Sequence, residues 1–359
     1  RQSVRPLFYM IIRRGSASSE YQDLTDINQH KRNRYQCSCP TVLPDSTVTC
    51  RELNTVARAM TVKINTAAAA RELLSRYDTF LFDCDGVIWI GDELLPSVKE
   101  TLQLLQKEGK TCIFVSNNST KARTDYVKKL ASFGIENIEL SHIINSAYST
   151  AIYVNDVLKF DKSKKVWVLG QSGITKELEN FGYTTQTFDD LKNTLDESKL
   201  DMNHISDLVD PDVGCVVVGL DFDTTYLKVG ITMQHLMKKD VSFIATNIDS
   251  TFPFKNTKLP GAGSIVDIVS YASGRQPDAI CGKPEPGMMT SILSHNDIQK
   301  NRTIMVGDRL NTDMRFGSSN GIDTLLVLTG IEVESTVAGG HEDVTYYADK
   351  LGDLFLLSQ

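Results

Sequence analysis

Short apolar runs alternate with amphipathic segments along the chain from residue 67 to its end. The runs are continuously apolar, which is typical of strands that are buried on both faces of a sheet. The segments between them carry apolar residues at helical spacing, and several of them end at a glycine. Strands are predicted at 80–82, 111–115, 165–170, 215–220, 241–246, 303–306 and 323–328. Helices are predicted at 67–75, 96–108, 121–133, 174–181, 226–239, 264–272 and 346–357.

The order of these elements predicts an α/β protein whose core is a doubly wound, parallel, Rossmann-like sheet. From about residue 143 the pattern begins again as a second, smaller α/β unit, with a polar and acidic connection at 185–212. We therefore predict one domain made of residues 67–150 and 279–359. A second domain, residues 151–278, is predicted to be inserted in it.

Two carboxylates, Asp83 and Asp85, follow the first buried strand. Their i, i+2 spacing puts both side chains on one side of an extended chain, and Gly86 then allows a turn into a small hairpin predicted at 87–93. Carboxylates this close cannot both stay ionised at little cost unless a cation lies between them or one of them binds a proton. The pair suits either a solvated strand end or a reactive site with Asp83 as nucleophile and Asp85 as proton donor.

Polar groups follow the ends of other predicted strands as well. They are Ser116, Asn117, Asn118, Lys283, Asp308 and Asp313. Each alone has an ordinary explanation, a helix cap for Ser116 or a surface lysine beside a turn for Lys283. Because the carboxyl ends of parallel strands share one edge, we expect the groups to meet in one crevice. The predicted crevice is rich in oxygen ligands and contains no histidine, which suits Mg²⁺. A site that combines Mg²⁺, a lysine and helix N-termini favours a phosphate substrate.

The composition of the chain limits which partners it can bind and indicates the cell compartment in which it works. A net charge of −7 over 359 residues argues against a nucleic-acid or anionic-membrane partner. No apolar run approaches the ~18 residues of a transmembrane helix. The cysteines are odd in number, seven, and the last four lie in apolar strand-like runs, which is typical of reduced thiols in an intracellular protein. We therefore predict a cytoplasmic location. Cys37 and Cys39 lack the spacing of a zinc site.

Residues 1–59 differ from the rest of the chain. They hold nine Lys/Arg and five Asp/Glu, a net charge of +4, so the other 300 residues carry −11. Residues 15–45 lack periodicity, and we expect residues 1–66 to be a disordered or non-native extension. Translation is expected to begin at Met60. Alternatively, the four arginines and absence of acids in residues 1–19 resemble a mitochondrial presequence, which would imply a mitochondrial location.

Taken together, these residues resemble the motifs of the haloacid dehalogenase-like phosphatases. The matching positions are Asp83-x-Asp85-Gly86-Val87, Ser116, Lys283 and Gly307-Asp308-x4-Asp313. The insert between the second and third motifs is similar to the large α/β type of cap, so we call residues 151–278 the cap domain. The segments 247–253, 260–263 and 282–284 resemble the 4-nitrophenyl phosphatase and phosphoglycolate phosphatase branch.

The resemblance implies a role for each motif residue. Asp83 is expected to attack phosphorus and form an aspartyl-phosphate, and Asp85 to protonate the leaving group and later deprotonate water. Mg²⁺ is expected at the Asp83 carboxylate, the Asp85 backbone carbonyl and Asp308, with Asp313 orienting the site. The phosphoryl oxygens are expected to bind Ser116, the Asn117 and Asn118 backbone, and Lys283. The cap domain is a candidate homodimer surface.

The expected substrate is a small phosphorylated metabolite, 2-phosphoglycolate above all, with 4-nitrophenyl phosphate as an artificial substrate. Relatives that act on pyridoxal phosphate carry a histidine near the place of Phe252, and its absence here disfavours that substrate. Lys255 and Lys258 could meet a substrate carboxylate or lie in a solvated loop. The alternatives are a pyridoxal phosphate or sugar phosphatase on the same scaffold, a phospho-accepting signalling receiver, or a catalytically inactive binding protein.

Overall fold

The computed structural model of the protein describes residues 61–254 and 257–359. The predictions made for residues 1–59 and for Lys255 lie outside the described residues. Within the described ranges, no helix combines the length and hydrophobicity that crossing a bilayer requires.

The first part of the main domain leads from an edge strand to the start of the cap domain. Its strands are β1 (Val62–Lys63), β2 (Thr79–Phe82), β3 (Trp89–Ile90), β4 (Glu93–Leu94), β5 (Thr111–Ser116) and β6 (Ile143–Asn145). Its helices are α1 (Ala67–Arg76), α2 (Val98–Lys107), α3 (Arg123–Ser132) and α4 (Ser146–Ile152). The hairpin predicted after Gly86 is confirmed, since β3 and β4 pair antiparallel.

The cap domain is a second layer of strands and helices. Its strands are β7 (Lys165–Leu169), β8 (Thr184–Gln186), β9 (Val213–Val218), β10 (Ser242–Ala245), β11 (Thr251–Phe254), β12 (Thr257–Pro260) and β13 (Ala279–Ile280). Its helices are α5 (Ser172–Asn180), α6 (Phe188–Thr194), α7 (Tyr226–Leu236) and α8 (Ala262–Ser273). The connection predicted at 185–212 is more ordered than expected, because Thr187 and Asp190 form a capping box that starts α6.

The chain then returns to the main domain. The elements are α9 (Pro286–Leu293), β14 (Thr303–Gly307), α10 (Arg315–Ser319), β15 (Asp323–Val327), β16 (Tyr346–Ala348) and α11 (Asp353–Ser358). The helix predicted at 346–357 is wrong in its first part. Tyr346 and Tyr347 pair in parallel with Leu325 and Leu326 of β15, and such pairing overrides a local helical pattern.

The main sheet has the strand order β1-β16-β15-β14-β2-β5-β6, and all of its neighbouring strands are parallel. The chain builds outward from β2 in one direction and from β14 in the other, so the order reverses between these two strands. A smaller parallel sheet, β13-β10-β9-β7-β8, forms the cap domain. The predicted fold class, a doubly wound parallel sheet with a second, smaller α/β domain, is confirmed.

Two short strands extend beyond the predicted domain boundaries. Strand β1 pairs with β16 at the edge of the main sheet although it precedes residue 67. Strand β13 pairs with β10 of the cap sheet although it follows residue 278. Both are only two residues long, which is too short to produce a readable periodicity. The division into main and cap domains remains our proposal, with these two shifts.

Strand β2 is buried on both faces, which holds the residues that follow it in place. Phe80 and Phe82 lie in the apolar cluster on one face of the sheet, and Leu81 lies in the cluster on the other. Complete burial of side chains of this size stabilises a fold by about 1.5–3 kcal/mol each. The carboxyl end of β2 is therefore a rigid base for a site.

His235 is buried in the core of the cap domain without a polar partner. Its ring packs 5.2 Å from that of Trp167, and neither ring nitrogen has a hydrogen-bond partner among the described residues. Burial, together with the charge of Lys238, lowers the pKa of His235 to about 4. Between about pH 4 and pH 6.5, the ring is therefore neutral in the folded protein but protonated in the unfolded chain.

Acidification from pH 7 to pH 4.5 should therefore destabilise the protein through His235. The unfolded chain gains a proton below about pH 6.5, whereas the folded chain gains it only near pH 4. The stability that depends on the neutral ring is thus complete above pH 6.5 and is lost progressively towards pH 4, by at most about 3 kcal/mol. Urea unfolding of His235→Phe at several pH values should show a smaller acid loss than wild type.

The control for this experiment is His142→Phe, which removes a partly exposed histidine of the main domain. It should follow the wild-type pH dependence. An acid loss in His235→Phe as large as that of wild type would contradict the assignment to His235.

Candidate active site

Asp83 and Asp308 follow the two strands between which the main sheet reverses its order. Strands β2 and β14 pair in register, with Phe82 opposite Val306, and the N–H of Asp83 donates to the Val306 carbonyl at 2.8 Å. Because both acids begin where the strands end, they leave the sheet side by side. This is the position at which open α/β sheets bind ligands.

A turn of π-helix brings a third acid to the same place. The turn spans Leu310–Met314, and Asp313 Oδ2 accepts hydrogen bonds from the backbone N–H groups of Asp308 and Arg309, both at 3.2 Å. Gly307 makes room for this approach, since a Cβ there would overlap the Asp313 side chain. Asp83, Asp308 and Asp313 each place an oxygen within 4.8 Å of the others.

Lys283 lies against the same carboxylates and is only 2% exposed. Its Nζ lies 2.7 Å from Asp83 Oδ1, 2.7 Å from Asp313 Oδ1 and 2.7 Å from the Val115 carbonyl. Burial acts to lower the pKa of Lys283, but the charges of Asp313 and Asp83 outweigh burial and raise that pKa above its ordinary value. The lysine therefore stays cationic within the cluster.

The acids themselves are held in an environment that disfavours their charges. Burial raises the pKa of Asp83 to about 7, although the charge of Lys283 acts in the opposite direction. Burial, followed by the charges of Asp83 and Asp313, raises the pKa of Asp308 well above its usual range. A nearby cation would relieve both effects, because it stabilises the ionised carboxylates.

The donor set fits a hard divalent cation such as Mg²⁺. When ionised, three carboxylates and one ammonium leave a formal charge of −2, which one divalent ion neutralises. Asp308 Oδ2 accepts a hydrogen bond from the Ile331 N–H at 3.0 Å, whereas its buried Oδ1 has no hydrogen-bond partner among the described residues. An orphaned carboxylate oxygen beside two others is the donor that Mg²⁺ prefers.

Asp85 lines the same cavity, but its side chain is not part of the three-carboxylate cluster. Its Oδ1 accepts a hydrogen bond from the indole Nε1–H of Trp89 at 2.9 Å. Burial raises the pKa of Asp85, while this hydrogen bond acts to lower it. Gly86 turns the chain here with φ of 90°, and a Cβ at Gly86 would lie 2.6 Å from Asp308 Oδ2.

Ser116 ends strand β5 with its hydroxyl buried in the site. Its Oγ accepts hydrogen bonds from the N–H of Asn118 and the hydroxyl of Tyr126, both at 3.2 Å. Because the oxygen acts as acceptor in both bonds, the hydroxyl hydrogen of Ser116 is left for another acceptor. Helix α3 starts at Arg123, two residues later than predicted, so Ser116 precedes the helix by a loop.

Asn117 connects the two domains. Its Oδ1 accepts the N–H of Lys283 at 2.7 Å, and its Nδ2 donates to the Lys283 carbonyl and to Asp249 Oδ2, both at 3.0 Å. Its carbonyl accepts Asn247 Nδ2 of the cap domain at 2.7 Å. The sequence indicated Asn117 only as a phosphate-binding backbone, and these side-chain roles were missed because their partners are more than 100 residues away.

The cap domain lies over the site and forms with the main domain a partly open cavity of about 720 Å³. Asp249, Thr251 and Phe252 of the cap line this cavity, and Arg309 of the main domain donates to the Thr251 carbonyl at 3.3 Å. Asp249 lies in the loop four residues beyond the end of β10, so the expectation that polar groups after strand ends form the site could have identified it. Lys258 is exposed on β12 and does not line the cavity.

Comparison with known proteins identifies relatives that cover about four fifths of the chain. Residues 80–184 match the haloacid dehalogenase-like hydrolase family, and residues 280–354 match HAD-hydrolase-like proteins. A 4-nitrophenylphosphatase of Schizosaccharomyces pombe is 40% identical over 300 residues, 82% of this chain and 99% of that protein. Phosphoglycolate phosphatase 2 of Arabidopsis thaliana is 38% identical over 295 residues, 80% of this chain and 96% of that protein.

A solved structure agrees with these matches. The 4-nitrophenylphosphatase of Thermotoga maritima has a TM-score of 0.66 and 30% identity, and it covers 80% of this chain and 99% of its own. The similarity therefore includes both domains.

The carboxylate cluster leads to a test by metal binding. Mg²⁺ at 100 times its dissociation constant should stabilise the folded protein by about 2.7 kcal/mol. Asp308→Asn should abolish this gain, and it should also stabilise the metal-free protein, because it removes a buried charge. Thermal unfolding with and without Mg²⁺ measures both effects.

The control is Asp297→Asn, an exposed acid away from the cavity. It should keep the full response to Mg²⁺. If Mg²⁺ does not change the unfolding temperature of the wild-type protein, the proposed cation site is wrong.

Proposed function

This chain belongs to the haloacid dehalogenase-like hydrolases and is a phosphatase, and from that premise we propose that it hydrolyses small phosphomonoesters with Mg²⁺ through an aspartyl-phosphate. The observation that carries the proposal is the cluster of Asp83, Asp308 and Asp313 around Lys283 at the reversal point of the main sheet. Buried acids next to a buried cation are expensive to maintain, and they are useful where a phosphate must be bound and attacked.

In the first step, a carboxylate oxygen of Asp83 attacks phosphorus. The new O–P bond forms as the ester O–P bond breaks, and the proton of the Asp85 carboxyl goes to the leaving alkoxide. Burial, which raises the pKa of Asp85, favours the protonated form that this step requires. The products of the step are an alcohol and phosphorylated Asp83.

In the second step, ionised Asp85 takes a proton from water as the water oxygen attacks phosphorus. The O–P bond to Asp83 breaks, which restores its carboxylate and releases inorganic phosphate. The presence of a carboxyl at position 85 therefore supports hydrolysis over a long-lived phosphorylated state. This argues against the signalling receiver, whose function requires that the phosphoryl group persist.

Lys283 and Ser116 bind the phosphoryl oxygens during both steps, Lys283 with its charge and Ser116 with its hydroxyl hydrogen. The Asn117 and Asn118 backbone N–H groups complete the cradle, and the Asn118 N–H, which donates to Ser116 Oγ at 3.2 Å, would be shared with a phosphoryl oxygen. The Asp83 carboxylate, the Asp85 carbonyl and Asp308, with Asp313 in support, would hold Mg²⁺, whose positive charge would offset the negative charge of the transferring group.

The cavity supports a small substrate with some tolerance in the leaving group. Its volume exceeds what a phosphate alone fills, and Phe222 and Phe252 of the cap, tilted by 55° with ring centroids 6.0 Å apart, pack against each other at its wall. We propose 2-phosphoglycolate as the substrate and 4-nitrophenyl phosphate as an artificial one, as the names of the relatives suggest. A pyridoxal phosphate or sugar phosphatase is the alternative.

We also propose a cytoplasmic enzyme that acts without nucleic-acid or membrane partners. The described cysteines, Cys84, Cys112, Cys215 and Cys281, are all buried and unpaired, which suits a reducing compartment. A homodimer formed through the cap domain remains part of the proposal.

Replacement of the nucleophile tests the reaction directly. Asp83→Asn should reduce phosphate release to the uncatalysed level, because an amide cannot attack phosphorus. Phosphate release is measured on 2-phosphoglycolate, 4-nitrophenyl phosphate, glycerol 3-phosphate, a sugar phosphate and pyridoxal phosphate, with Mg²⁺ or with a chelator. Wild-type turnover should disappear with the chelator; turnover retained by Asp83→Asn would refute the nucleophile.

Replacement of the acid–base should have a graded effect. Asp85→Asn should lower turnover of 2-phosphoglycolate by about 10²–10⁴-fold, the usual contribution of a general acid–base. The dissociation constant of Mg²⁺ should change little, since the proposed metal contact is the backbone carbonyl. An unchanged turnover number would exclude Asp85 from proton transfer.

A further inference from the structure

We infer that Trp89 is a positioning residue for Asp85: its indole N–H holds one carboxyl oxygen so that the other faces the reacting phosphate. This inference rests on the proposed function, because it assigns Asp85 to proton transfer. The observation behind it is the 2.9 Å hydrogen bond from Trp89 Nε1 to Asp85 Oδ1.

The backbone around Gly86 determines where the indole N–H lies. The Gly86 N–H donates to the Trp89 carbonyl at 2.8 Å, and the Trp89 N–H donates to the Cys84 carbonyl at 3.2 Å. These bonds close a tight turn between Asp85 and Trp89, four residues apart. The N–H and the carboxyl are therefore held together by the turn itself, and neither depends on a long flexible side chain.

The indole ring is also immobilised by its neighbours. Trp89 is 2% exposed, and the rings of Tyr126 and Phe133 lie 6.1 and 6.0 Å from it. Lys129 Nζ lies 4.3 Å from the centre of the indole and also donates to the Gly91 carbonyl at 2.7 Å. Aromatic packing and a cation–π contact thus fix the ring, and a fixed ring fixes its N–H.

The hydrogen bond gives the two oxygens of Asp85 different roles. Oδ1 is occupied by Trp89, whereas no hydrogen bond to Oδ2 occurs within residues 61–254 and 257–359. Asp85 lines the cavity, so Oδ2 is the oxygen that carries the transferred proton. In the first step the Oδ2–H bond breaks, the proton goes to the leaving oxygen, and the ester O–P bond breaks as Asp83 forms its bond to phosphorus.

Leaving-group chemistry separates this role from a purely structural one. Loss of an alkoxide needs a proton from Asp85, whereas 4-nitrophenolate is a weak base and leaves without one. Water attack on phosphorylated Asp83 needs Asp85 as a base for every substrate. A misplaced Asp85 should therefore slow the first turnover of 2-phosphoglycolate but not that of 4-nitrophenyl phosphate, and it should slow steady-state turnover of both.

The test uses the full-length Trp89→Phe variant, which keeps an aromatic ring and removes the N–H. Rapid-mixing measurements should show first-turnover cleavage of 2-phosphoglycolate slowed by about 10–100-fold, with first-turnover release of 4-nitrophenolate unchanged. The Michaelis constant should change less than the turnover number.

The matched control is Trp167→Phe, which removes the other indole N–H of the chain. That N–H is buried in the cap domain and donates to Thr232 Oγ1 at 2.8 Å. It should keep wild-type kinetics.

A double-mutant cycle tests whether Trp89 acts through Asp85. In an Asp85→Asn background, Trp89→Phe should cause no further loss of turnover. A further loss there would overturn the inference, as would a wild-type first turnover of 2-phosphoglycolate in Trp89→Phe. Equal slowing of both substrates in the first turnover would also overturn it.

A spectroscopic measurement keeps the inference testable if Trp89→Phe does not fold. The chain contains two tryptophans, so its indole N–H groups should produce two resonances in a ¹H–¹⁵N spectrum, assigned with Trp167→Phe. Asp85→Ala should shift the Trp89 resonance and leave that of Trp167 in place; an unmoved Trp89 resonance would refute the contact. If wild-type protein releases phosphate from neither ester, the proposed function fails first, whatever the spectra show.

Discussion

Three carboxylates held within 4.8 Å of one another in a buried site are the constraint on which this structure depends. Asp83 and Asp308 follow adjacent parallel strands, and a turn of π-helix returns Asp313 to them. One lysine offsets one of the three carboxylate charges, so the remaining formal charge of −2 would be neutralised by one divalent cation. Glycines stand where these acids approach the backbone closely. Gly307 leaves room for the Asp313 side chain, and Gly86 leaves room for the Asp308 carboxylate.

The apolar layers on both sides of the main sheet stabilise this arrangement. Buried charges close together destabilise a fold, and they persist only where the surrounding packing holds them. Strand β2 supplies such packing, because all four of its residues are buried, with Phe80 and Phe82 on one face and Leu81 on the other. A divalent cation bound among the three acids would relieve the repulsion between them.

The sequence predicted those parts of the site that follow from local pattern. Asp83, Ser116 and Asp308 could be found because each directly follows a buried apolar run, and parallel strands bring such positions to one edge. Asn117 shows the limit of this reasoning, since its side chain joins Lys283 to Asp249 of the cap domain over separations of 166 and 132 residues. Contacts of this kind depend on how two domains pack, for which a local periodicity carries no signal. Strand β16 was mistaken for a helix because its pairing with β15 inside the main sheet overrides the local helical pattern.

The contacts of Asn117 also connect the position of the cap to the chemistry beneath it. The same amide that donates to the Lys283 carbonyl donates to Asp249, and the Asn117 carbonyl accepts Asn247. Displacement of the cap would therefore remove hydrogen bonds from the residue that holds the Lys283 backbone. Arg123 and Glu177 provide a second connection, an ion pair at 3.1 Å in which the carboxylate is almost fully buried. This pair joins α3 of the main domain to α5 of the cap domain, so it holds the cap in the same arrangement as the contacts of Asn117 do.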